Sequence, residues 1–423
     1  MNLMLRNPQR ILVLYWYPGF GKMRAAVQYH LKALEYSDVK HDIIYYNALF
    51  GIPSWLIYLN FDVLILHNTF LCLRHSRLFE VWKWQMKWIK NVNCLKMAIP
   101  QDEYDYAEIL DDWLYEWNIS VIFTNFDQEK QKILYPKMYN KAVFYQCLTG
   151  YIDDVVAQQY AHSLTPIKDR KYDIVYRASH LPYRFGKHGQ LKHQIAKIVS
   201  DSAERLGLNS NISTLDKDTI LGDKWFDFLA SGKTVIGCES GSSVLDRRGE
   251  IKTKIETILK NNNNISFQEI THFLPPDWDN YQFFAISPRH FEAIITKTCQ
   301  ILVEGNYDHI LEPNRHYIAI KKDFSNLDEV IGKIKDDKYI TEITELAYNE
   351  IYLSGKYSYK TFCILIDNAI FSHKEKQINR RLINNKWLLK IYSFIIRMNN
   401  LLEIFFYFIT IELIKKVYNY MKN

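Results

Sequence analysis

The chain has 423 residues, enough for two domains that each bury a core of their own. Hydrophobic residues make up 48% and charged residues 24%, a balance that excludes a disordered chain. The net charge of +6 is concentrated at one end, because residues 373–423 hold ten Lys or Arg against three Glu, a net of +7, and the other 372 residues sum to about −1. A nucleic-acid partner would require a basic face on the folded part of the chain, so none is expected.

The cysteines and the N-terminus point to a reducing compartment. None of the six cysteines belongs to a CxxC pair, so neither a zinc site nor a disulfide framework is predicted. The first ten residues, MNLMLRNPQR, lack the apolar core of a signal peptide, and nothing before residue 380 is suited to span a bilayer. We expect a cytoplasmic protein.

The first third of the chain alternates apolar runs with helical patterns. The runs predicted as strands are RILVLYWYP, HDIIYYNA, FDVLILHN, CLKMAIP and NISVIFTN. The first is followed by a Gly loop, GFGK, which lacks the spacing of a P-loop and is interpreted as a turn or an anion site. Strands that are apolar throughout and alternate with helices indicate a parallel sheet covered on both faces. Residues 1–150 are therefore predicted to form a Rossmann-like domain.

The alternating pattern stops at residues 151–170, interpreted as a linker, and then resumes. The strands predicted from here on lie in YDIVYRA, TVIGCES, TCQILVEG and HYIAI, with helices between them. Residues 171–372 are thus predicted to form a second Rossmann-like domain, so the fold class is α/β with two such domains facing each other across a cleft. Ligands of such sheets lie outside the carboxyl ends of the strands, where candidate site residues are sought.

Three candidate catalytic residues follow strands of the first domain. His67 ends the third strand, where a neutral imidazole can accept a proton or bind a sugar hydroxyl. Asp102 and Glu103 follow the fourth strand in PQDEYDY. At the mouth of a cleft one of these carboxylates can act as the base for an acceptor hydroxyl, and the alternative is a loop of solvated charge.

The second domain offers two loops for an anionic ligand. The loop after its first strand carries four cations and leads into a helix, which suits a diphosphate; the cations are Arg177, Arg184, Lys187 and Lys192. After a later strand come Glu239, Ser240 and Gly241, where small residues let the backbone approach a ligand. Surface basicity and helix capping are the respective alternatives.

The segment ISPRHFEAIITKTCQIL, residues 286–302, begins like a helix. Ser287 is a suitable N-cap and Pro288 suits the first helical position, so neither residue needs a function. Arg289 in the first turn interacts unfavourably with the positive end of the helix dipole, and a phosphate bound there offsets this interaction. Glu292, one turn further, can accept hydrogen bonds from both hydroxyls of a ribose, and an Arg289–Glu292 pair is the alternative.

This segment resembles the R-x-F-E-A segment in the donor domain of GT-B nucleotide-sugar glycosyltransferases. It is similar in particular to the group-1 and spore-maturation-type transferases of bacterial surface-polysaccharide clusters. The resemblance covers residues 10–370 as architecture, and only the F-E-A segment matches as a motif. It implies that Glu292 holds the nucleotide ribose, that the strand-end His67 contacts the donor sugar, and that the basic loop grips the diphosphate.

One departure from the family leaves the stereochemistry open. Members commonly have two Glu eight positions apart, and the residue eight before Glu292 is Phe284. Glu239 is then the candidate for the displaced partner, with an insertion of about 50 residues between the two. The expected reaction uses the nucleotide-diphosphate sugar as its donor substrate and needs neither a cofactor nor a metal ion. No Asp-x-Asp triplet is expected at the donor site.

The C-terminal end, residues 373–423, is predicted to form a basic amphipathic helical tail. Lys386, Lys390 and Arg397 share one face, and the apolar run that follows is too short and too acidic to span a bilayer. The tail is interpreted as binding an anionic membrane surface, with packing on the protein or on another copy as the alternative.

Together these features predict a glycosyltransferase that moves a sugar from a nucleotide-diphosphate sugar to a hydroxyl of a glycan. The expected acceptor is lipid-linked and belongs to bacterial surface-polysaccharide synthesis, with the enzyme peripheral to the inner face of the cell membrane. Two alternatives remain: a non-catalytic GT-B-like scaffold of an assembly complex, and a nucleotide-sugar epimerase.

Overall fold

A computed structural model of the protein describes residues 7–17 and 24–373, together with Met398. The Gly loop at 19–22 lies outside the described residues. So does the predicted basic tail, apart from His373 and Met398.

The first domain is built on six parallel strands in the order β2-β1-β3-β4-β5-β6. The strands are β1 (Arg10–Tyr15), β2 (Asp42–Asn47), β3 (Val63–His67), β4 (Leu95–Ile99), β5 (Val121–Thr124) and β6 (Val143–Gln146). The helices between them are α1 (Ala25–Leu31), α2 (Asn68–Leu71), α3 (Phe79–Gln85), α4 (Ala107–Glu116) and α5 (Gln128–Leu134). Every residue of β3 and β5 is buried, as expected for strands with helices on both faces. The predicted parallel sheet is confirmed.

The second domain continues the same architecture. Its strands are β7 (Tyr172–Arg177), β8 (Ser210–Ser213), β9 (Gly232–Gly237), β10 (Ser240–Ser242), β11 (Phe283–Ala285), β12 (Cys299–Val303) and β13 (Ile318–Ile320). From the linker onwards the helices are α6 (Asp154–Ala161), α7 (Gly186–Arg205), α8 (Lys224–Ala230), α9 (Glu250–Asn261), α10 (Phe267–Thr271), α11 (Pro288–Ile295), α12 (Leu327–Gly332), α13 (Asp337–Ala347) and α14 (Tyr359–His373). Five of the strands form a parallel sheet in the order β13-β12-β9-β7-β8. Two Rossmann-like domains are therefore present.

An insertion between β9 and α11, residues 240–285, joins the two domains. Its strands β10 and β11 form an antiparallel pair, and its helices enclose a small apolar core of their own. The amide of Asp246 donates to the carbonyl of Tyr104 at 2.9 Å, and the amide of Ala107 donates to the carbonyl of Asp246 at 3.1 Å. Phe283 stacks on Tyr104, with ring centroids 5.8 Å apart, inside the core of the first domain. The insertion thus connects the second domain to the first on one side of the cleft.

The last described helix, α14, belongs to the first domain, which corrects the predicted boundary at residue 372. Its apolar residues Phe362, Ile366 and Ile370 pack against β1 and β3 in one buried cluster. Asp367 on the same helix accepts hydrogen bonds from Ser37 Oγ at 2.7 Å and from His41 Nε2 at 3.1 Å. The chain therefore crosses from the first domain to the second and back. No helix among residues 7–17 and 24–373 combines the length and apolar character needed to cross a membrane.

Candidate active site

A cavity of about 430 Å³ lies between the domains, where the carboxyl ends of the two sheets face each other. Asn68, Gln101 and Asn125 line it from beyond β3, β4 and β5, and Ala178 and Cys238 line it from beyond β7 and β9. This volume is within the range of small-molecule sites. The predicted GT-B arrangement, with a cleft between two such sheets, is therefore the fold of this protein.

Glu292 lines this cavity from the second turn of α11. Its Oε2 accepts a hydrogen bond of 2.7 Å from the indole Nε1 of Trp225 on α8, and no described residue donates to Oε1. Burial raises the pKa of the carboxyl group, against the opposing effects of the Trp225 bond and of Arg289. The indole fixes the orientation of the carboxylate and leaves acceptor positions for a ligand. Sequence reasoning missed Trp225, which is distant from Glu292 in the chain.

Arg289 also lines the cavity, one turn before Glu292. Its guanidinium lies 5.2 Å from the ring centroid of Trp225 and 5.8 Å from that of Tyr176. No ion pair within 4.0 Å joins Arg289 to Glu292, although both are described, so the simple pairing alternative is wrong. Ser287 occupies the N-cap position and Pro288 begins the helix, as predicted, but the Ser287 side chain makes no capping bond. The positive charge is thus held by aromatic faces at the cavity wall.

Two cations of the predicted basic loop reach the cavity. Lys192 lines it from α7, with its Nζ 3.4 Å from Ser240 Oγ, and burial lowers its pKa. Arg177 lines it at the end of β7, where it donates to the carbonyl of Asn211 at 2.9 Å and to Asn211 Oδ1 at 2.7 Å. Arg24 adds a third cation from the first domain. Together with Arg289 they make this region of the cavity attractive to an anion.

The other two cations of that loop, Arg184 and Lys187, do not line the cavity. Arg184 forms an ion pair of 2.9 Å with Asp105 of the first domain, and it does not line the cavity. The Lys187 side chain is exposed, and its amide donates to Asp279 Oδ2 at 2.8 Å. These two residues therefore help to hold the domains and the insertion together. Their predicted contact with a diphosphate is not supported by their positions.

The small residues after β9 do line the cavity, for a partly different reason than predicted. Ser240 and Gly241 begin β10, and Gly241 has φ +114°. A Cβ at this position would lie 1.9 Å from the carbonyl oxygen of Phe283 across the β10–β11 pair. Glycine is therefore required here by backbone conformation and strand packing.

Glu239, the predicted displaced partner of Glu292, is buried behind the cavity wall and does not line it. Its Oε1 accepts amide hydrogen bonds from Asn306 at 3.2 Å and from Tyr307 at 2.9 Å. A Cβ at Gly305 would lie 2.4 Å from Glu239 Oε2. The carboxylate thus anchors the loop after β12, and its predicted contact with the nucleotide is not supported by this position.

On the opposite wall, Asp102 lines the cavity just beyond β4. Its backbone is left-handed, with φ +50°, and Oδ1 accepts a 2.7 Å hydrogen bond from Tyr104. The buried Arg74 fixes this loop by donating to the carbonyls of Asp102 at 2.9 Å, Gln101 at 3.1 Å and Asp105 at 3.0 Å. An exposed carboxylate on a backbone held this firmly is suited to meet a substrate hydroxyl.

Glu103 points the other way and is removed from the candidate bases. It is fully buried, with no exposed surface, and does not line the cavity. It accepts hydrogen bonds from the hydroxyl of Thr124 at 2.6 Å, from the Tyr135 hydroxyl, and from the amide of Asn125 at 3.3 Å. Burial raises its pKa to about 7, although these hydrogen bonds oppose the shift. Its role is to join β5 and α5 to the loop after β4.

Glu103 should make the stability of the protein fall as pH rises. A folded-state pKa near 7, above the unfolded value of 4.5, contributes stability that is present below 4.5 and lost as the pH passes 7. The difference in free energy of unfolding between wild type and Glu103→Gln should therefore change by about 2–3 kcal/mol between pH 5 and 8. Denaturant titration at both pH values measures it. Glu129→Gln, at an exposed site on α5, is the control, and an equal change there would contradict the assignment.

His67 is buried behind the cavity wall, and His30 on α1 lines the cavity in its place. His67 Nδ1 accepts from the amide of Thr69 at 3.3 Å, so its proton lies on Nε2, which is 3.0 Å from His30 Nδ1. His30 must then carry its proton on Nε2, an atom that has no partner among the described residues. Burial lowers the pKa of His30 to about 4 and that of His67 well below its usual value. His30 is thus a neutral imidazole beside the cavity, with a buried Nε2–H that has no acceptor in the described part of the chain. It lies within a helix, so a search limited to strand ends did not find it.

The second domain contains an Asp-x-Asp triplet beside the cavity, which the sequence analysis did not name. Asp216 and Asp218 follow β8, and Asp218 lines the cavity. Its Oδ2 accepts a 2.6 Å hydrogen bond from Ser213. Within the part of the chain that the structure describes, no group of three or more His, Cys, Asp or Glu side chains is arranged to hold a metal ion.

Comparisons with known proteins give matches among solved structures. No protein-family model and no curated protein matches the chain. TarM is 11% identical with a TM-score of 0.43, and the match covers 73% of this chain but only 54% of TarM. HepE of Anabaena in complex with UDP-glucose is 10% identical with a TM-score of 0.47, covering 86% and 100% of the two chains. An alpha-glucosyltransferase in complex with UDP and a 13-mer DNA is 11% identical with a TM-score of 0.48, covering 86% and 100%.

These solved structures are GT-B glycosyltransferases. At such identities and scores the similarity concerns the fold alone. The GT-B fold class of this chain rests on its own two sheets, their strand orders and the cavity at their carboxyl ends.

Proposed function

We propose that this protein is a glycosyltransferase that moves a sugar from a nucleotide-diphosphate sugar to a hydroxyl acceptor. The observation that carries the proposal is the second-domain wall of the cavity. There a carboxylate oriented by an indole N–H, Glu292 with Trp225, lies one turn from a cation held on aromatic faces, Arg289. A carboxylate suits a ribose diol and a cation suits a diphosphate, and a nucleotide sugar has both groups a short distance apart.

The donor is proposed to lie along the second domain. Its ribose hydroxyls donate to Glu292, and its diphosphate is held by Arg289 and Lys192, with Arg24 facing them from the first domain. The loop after β8 lines the same cavity with Leu215 and Ile220, which offer an apolar surface to a nucleobase. Positive charge held in place beforehand stabilises the departing diphosphate more in the transition state than in the bound substrate.

The acceptor hydroxyl is proposed to approach from the first domain, where Asp102 accepts its proton as it attacks the sugar. This role applies if the enzyme inverts the configuration at the sugar carbon. The carboxylate is exposed to the cavity and its backbone is fixed by Arg74, so little reorganisation is needed when substrate binds. A lipid-linked glycan of surface-polysaccharide synthesis remains the proposed acceptor, with the enzyme on the cytoplasmic face of the membrane.

A binding series tests the proposal. Thermal shift and calorimetry with UDP, GDP, ADP, CDP and dTDP should identify one nucleoside diphosphate that binds. The matching monophosphate should bind about tenfold more weakly and the nucleoside more weakly still, because each phosphate contact is charge-assisted. Binding of none of the five would favour the non-catalytic scaffold. Conversion of a nucleotide sugar to its epimer without an acceptor would favour the epimerase.

His30 is proposed to donate from Nε2 to a hydroxyl of the donor sugar. Replacing it by Leu should lower affinity for the nucleotide sugar by about tenfold, because a sugar hydroxyl is left unpaired, and should leave affinity for the free nucleoside diphosphate unchanged. His30→Gln keeps an N–H donor and should recover part of the loss. Calorimetry with both ligands measures the difference. Equal weakening of both ligands in the Leu variant would indicate a general disturbance of the site.

A further inference from the structure

A stripe of large apolar side chains is exposed on the first domain, at α3. Leu78, Val81 and Trp84 are 57%, 52% and 65% exposed, and their spacing of three residues places them along one side of the helix. The opposite side is anchored, since Phe79 and Met86 are buried in the core of the first domain. The exposed stripe therefore does not result from a loosely packed helix.

Cations surround this stripe. Arg77, Lys87 and Lys90 are exposed, and Lys87 Nζ lies 5.1 Å from the ring centroid of Trp84. Residues 77–93 contain four cations and a single acid, Glu80, which pairs with Lys83 at 3.1 Å. From the neighbouring α4, Glu116 also pairs with Lys83, at 3.3 Å. The exposed cations at the two ends of the stripe are thus left without a pairing carboxylate among the described residues.

The stripe begins beside the cleft. Arg74, four residues before Leu78, is the buried side chain that donates to the carbonyls of Gln101 and Asp102, and Asp102 lines the cavity. His75 lies 3.7 Å from Asp105 in the same loop. A surface that contacts α3 would therefore lie next to the first-domain wall of the cavity.

We propose that the face formed by Arg77, Leu78, Val81, Trp84, Lys87 and Lys90 docks on an anionic lipid membrane. A Trp and two aliphatic side chains enter the interfacial layer, and the flanking cations bind lipid phosphates. Three apolar side chains cover far less than the about 800 Å² per partner of a standard protein interface, but shallow membrane insertion needs only such a patch. The donor site does not use this face, so the inference stands apart from the proposed transferase activity and from the tail.

Vesicle sedimentation of the full-length protein tests the inference. Vesicles of phosphatidylcholine are compared with vesicles in which a third of the lipid is phosphatidylglycerol. Wild type should bind the anionic vesicles preferentially. The double variant Leu78→Ser/Trp84→Ser should lose about tenfold in partitioning, because two large apolar groups no longer leave water. The matched control Val155→Ser/Leu353→Ser removes side chains that are 68% and 61% exposed outside this face, and it should partition like wild type.

A charge variant separates the two contributions, since Lys87→Glu/Lys90→Glu should reduce binding to the anionic vesicles and leave weak binding to neutral ones unchanged. An unchanged melting temperature shows that each variant is folded. Wild-type partitioning of the Leu78→Ser/Trp84→Ser variant would overturn the inference. Loss of a dimer by the same variant in sedimentation velocity would also overturn it, because the face would then bind a second copy. Faster proteolytic release of the tail in that variant would overturn it too, because the face would then bind residues 374–423.

Discussion

Replacing Glu292 by Gln should weaken binding of the cognate nucleoside diphosphate by about a hundredfold. The carboxylate has one oxygen bonded to Trp225 Nε1 and the other unbonded by any described residue, so both can accept hydroxyl protons of a ribose. Gln offers one neutral acceptor and turns an N–H₂ group towards one of these donors. Loss of two charge-assisted hydrogen bonds at about 1.4 kcal/mol each accounts for the factor. Calorimetry with the nucleotide identified in the binding series measures it.

Trp225→Phe is the matched control for this prediction. It keeps the carboxylate and most of the apolar volume and removes only the N–H that orients Oε2. We expect a loss of affinity below about tenfold, since the ribose acceptors remain and only their orientation is relaxed. If Glu292→Gln bound the nucleotide within threefold of wild type, the ribose would lie elsewhere and the assignment of the donor wall would be wrong.

The sequence predicts the strands that are continuous apolar runs. The strands that it does not predict include two at the edges of their sheets. β3 and β5 are buried at every position, so their residues are apolar throughout and easy to recognise. β6 and β8 lie at the edges of their sheets and have no buried residue, so hydrogen bonding and not composition makes them strands. β10 and β11 are three residues each, too short for any period to be detected.

The boundary at residue 372 could not be found from local pattern either. α14 follows the second domain in the chain and has an ordinary apolar face, which fits either domain equally well. Its return to the first domain depends on long-range partners, among them Ser37 and His41, which bind Asp367 from more than 300 residues away. Such contacts leave no local signal.

Site residues were predictable where a motif or a strand end carried them. Glu292 and Arg289 line the cavity as the F-E-A segment predicts, and Asp102 lines it as a residue that follows a strand. The sequence could not distinguish Asp102 from its neighbour Glu103, because it does not reveal the left-handed backbone at Asp102. In the structure Asp102 lines the cavity and Glu103 is buried away from it. His30 was missed because it lies inside a helix, where it is bonded to the His67 that the prediction named.

Replacing Asp102 by Asn should lower kcat by about a thousandfold and leave nucleotide affinity unchanged. Asn cannot accept a proton, and removal of a general base costs about 10² to 10⁴ in rate. The fold should persist, because Asn also tolerates the left-handed backbone at this position and can still accept the hydrogen bond from Tyr104. Radiolabelled sugar transfer, with calorimetry on the same preparation, separates the two effects.

The informative control for Asp102 is its neighbour. Glu103→Gln removes a carboxylate one residue away that is buried, bonded to Thr124 and directed away from the cavity. Its kcat should stay within about threefold of wild type, while the difference in free energy of unfolding between wild type and this variant changes with pH as argued above. Full activity in Asp102→Asn would mean that the acceptor proton leaves by another route. In that case the left-handed backbone and the Arg74 clamp would serve to shape the acceptor wall of the cavity, and a retaining reaction would become the better explanation of the site.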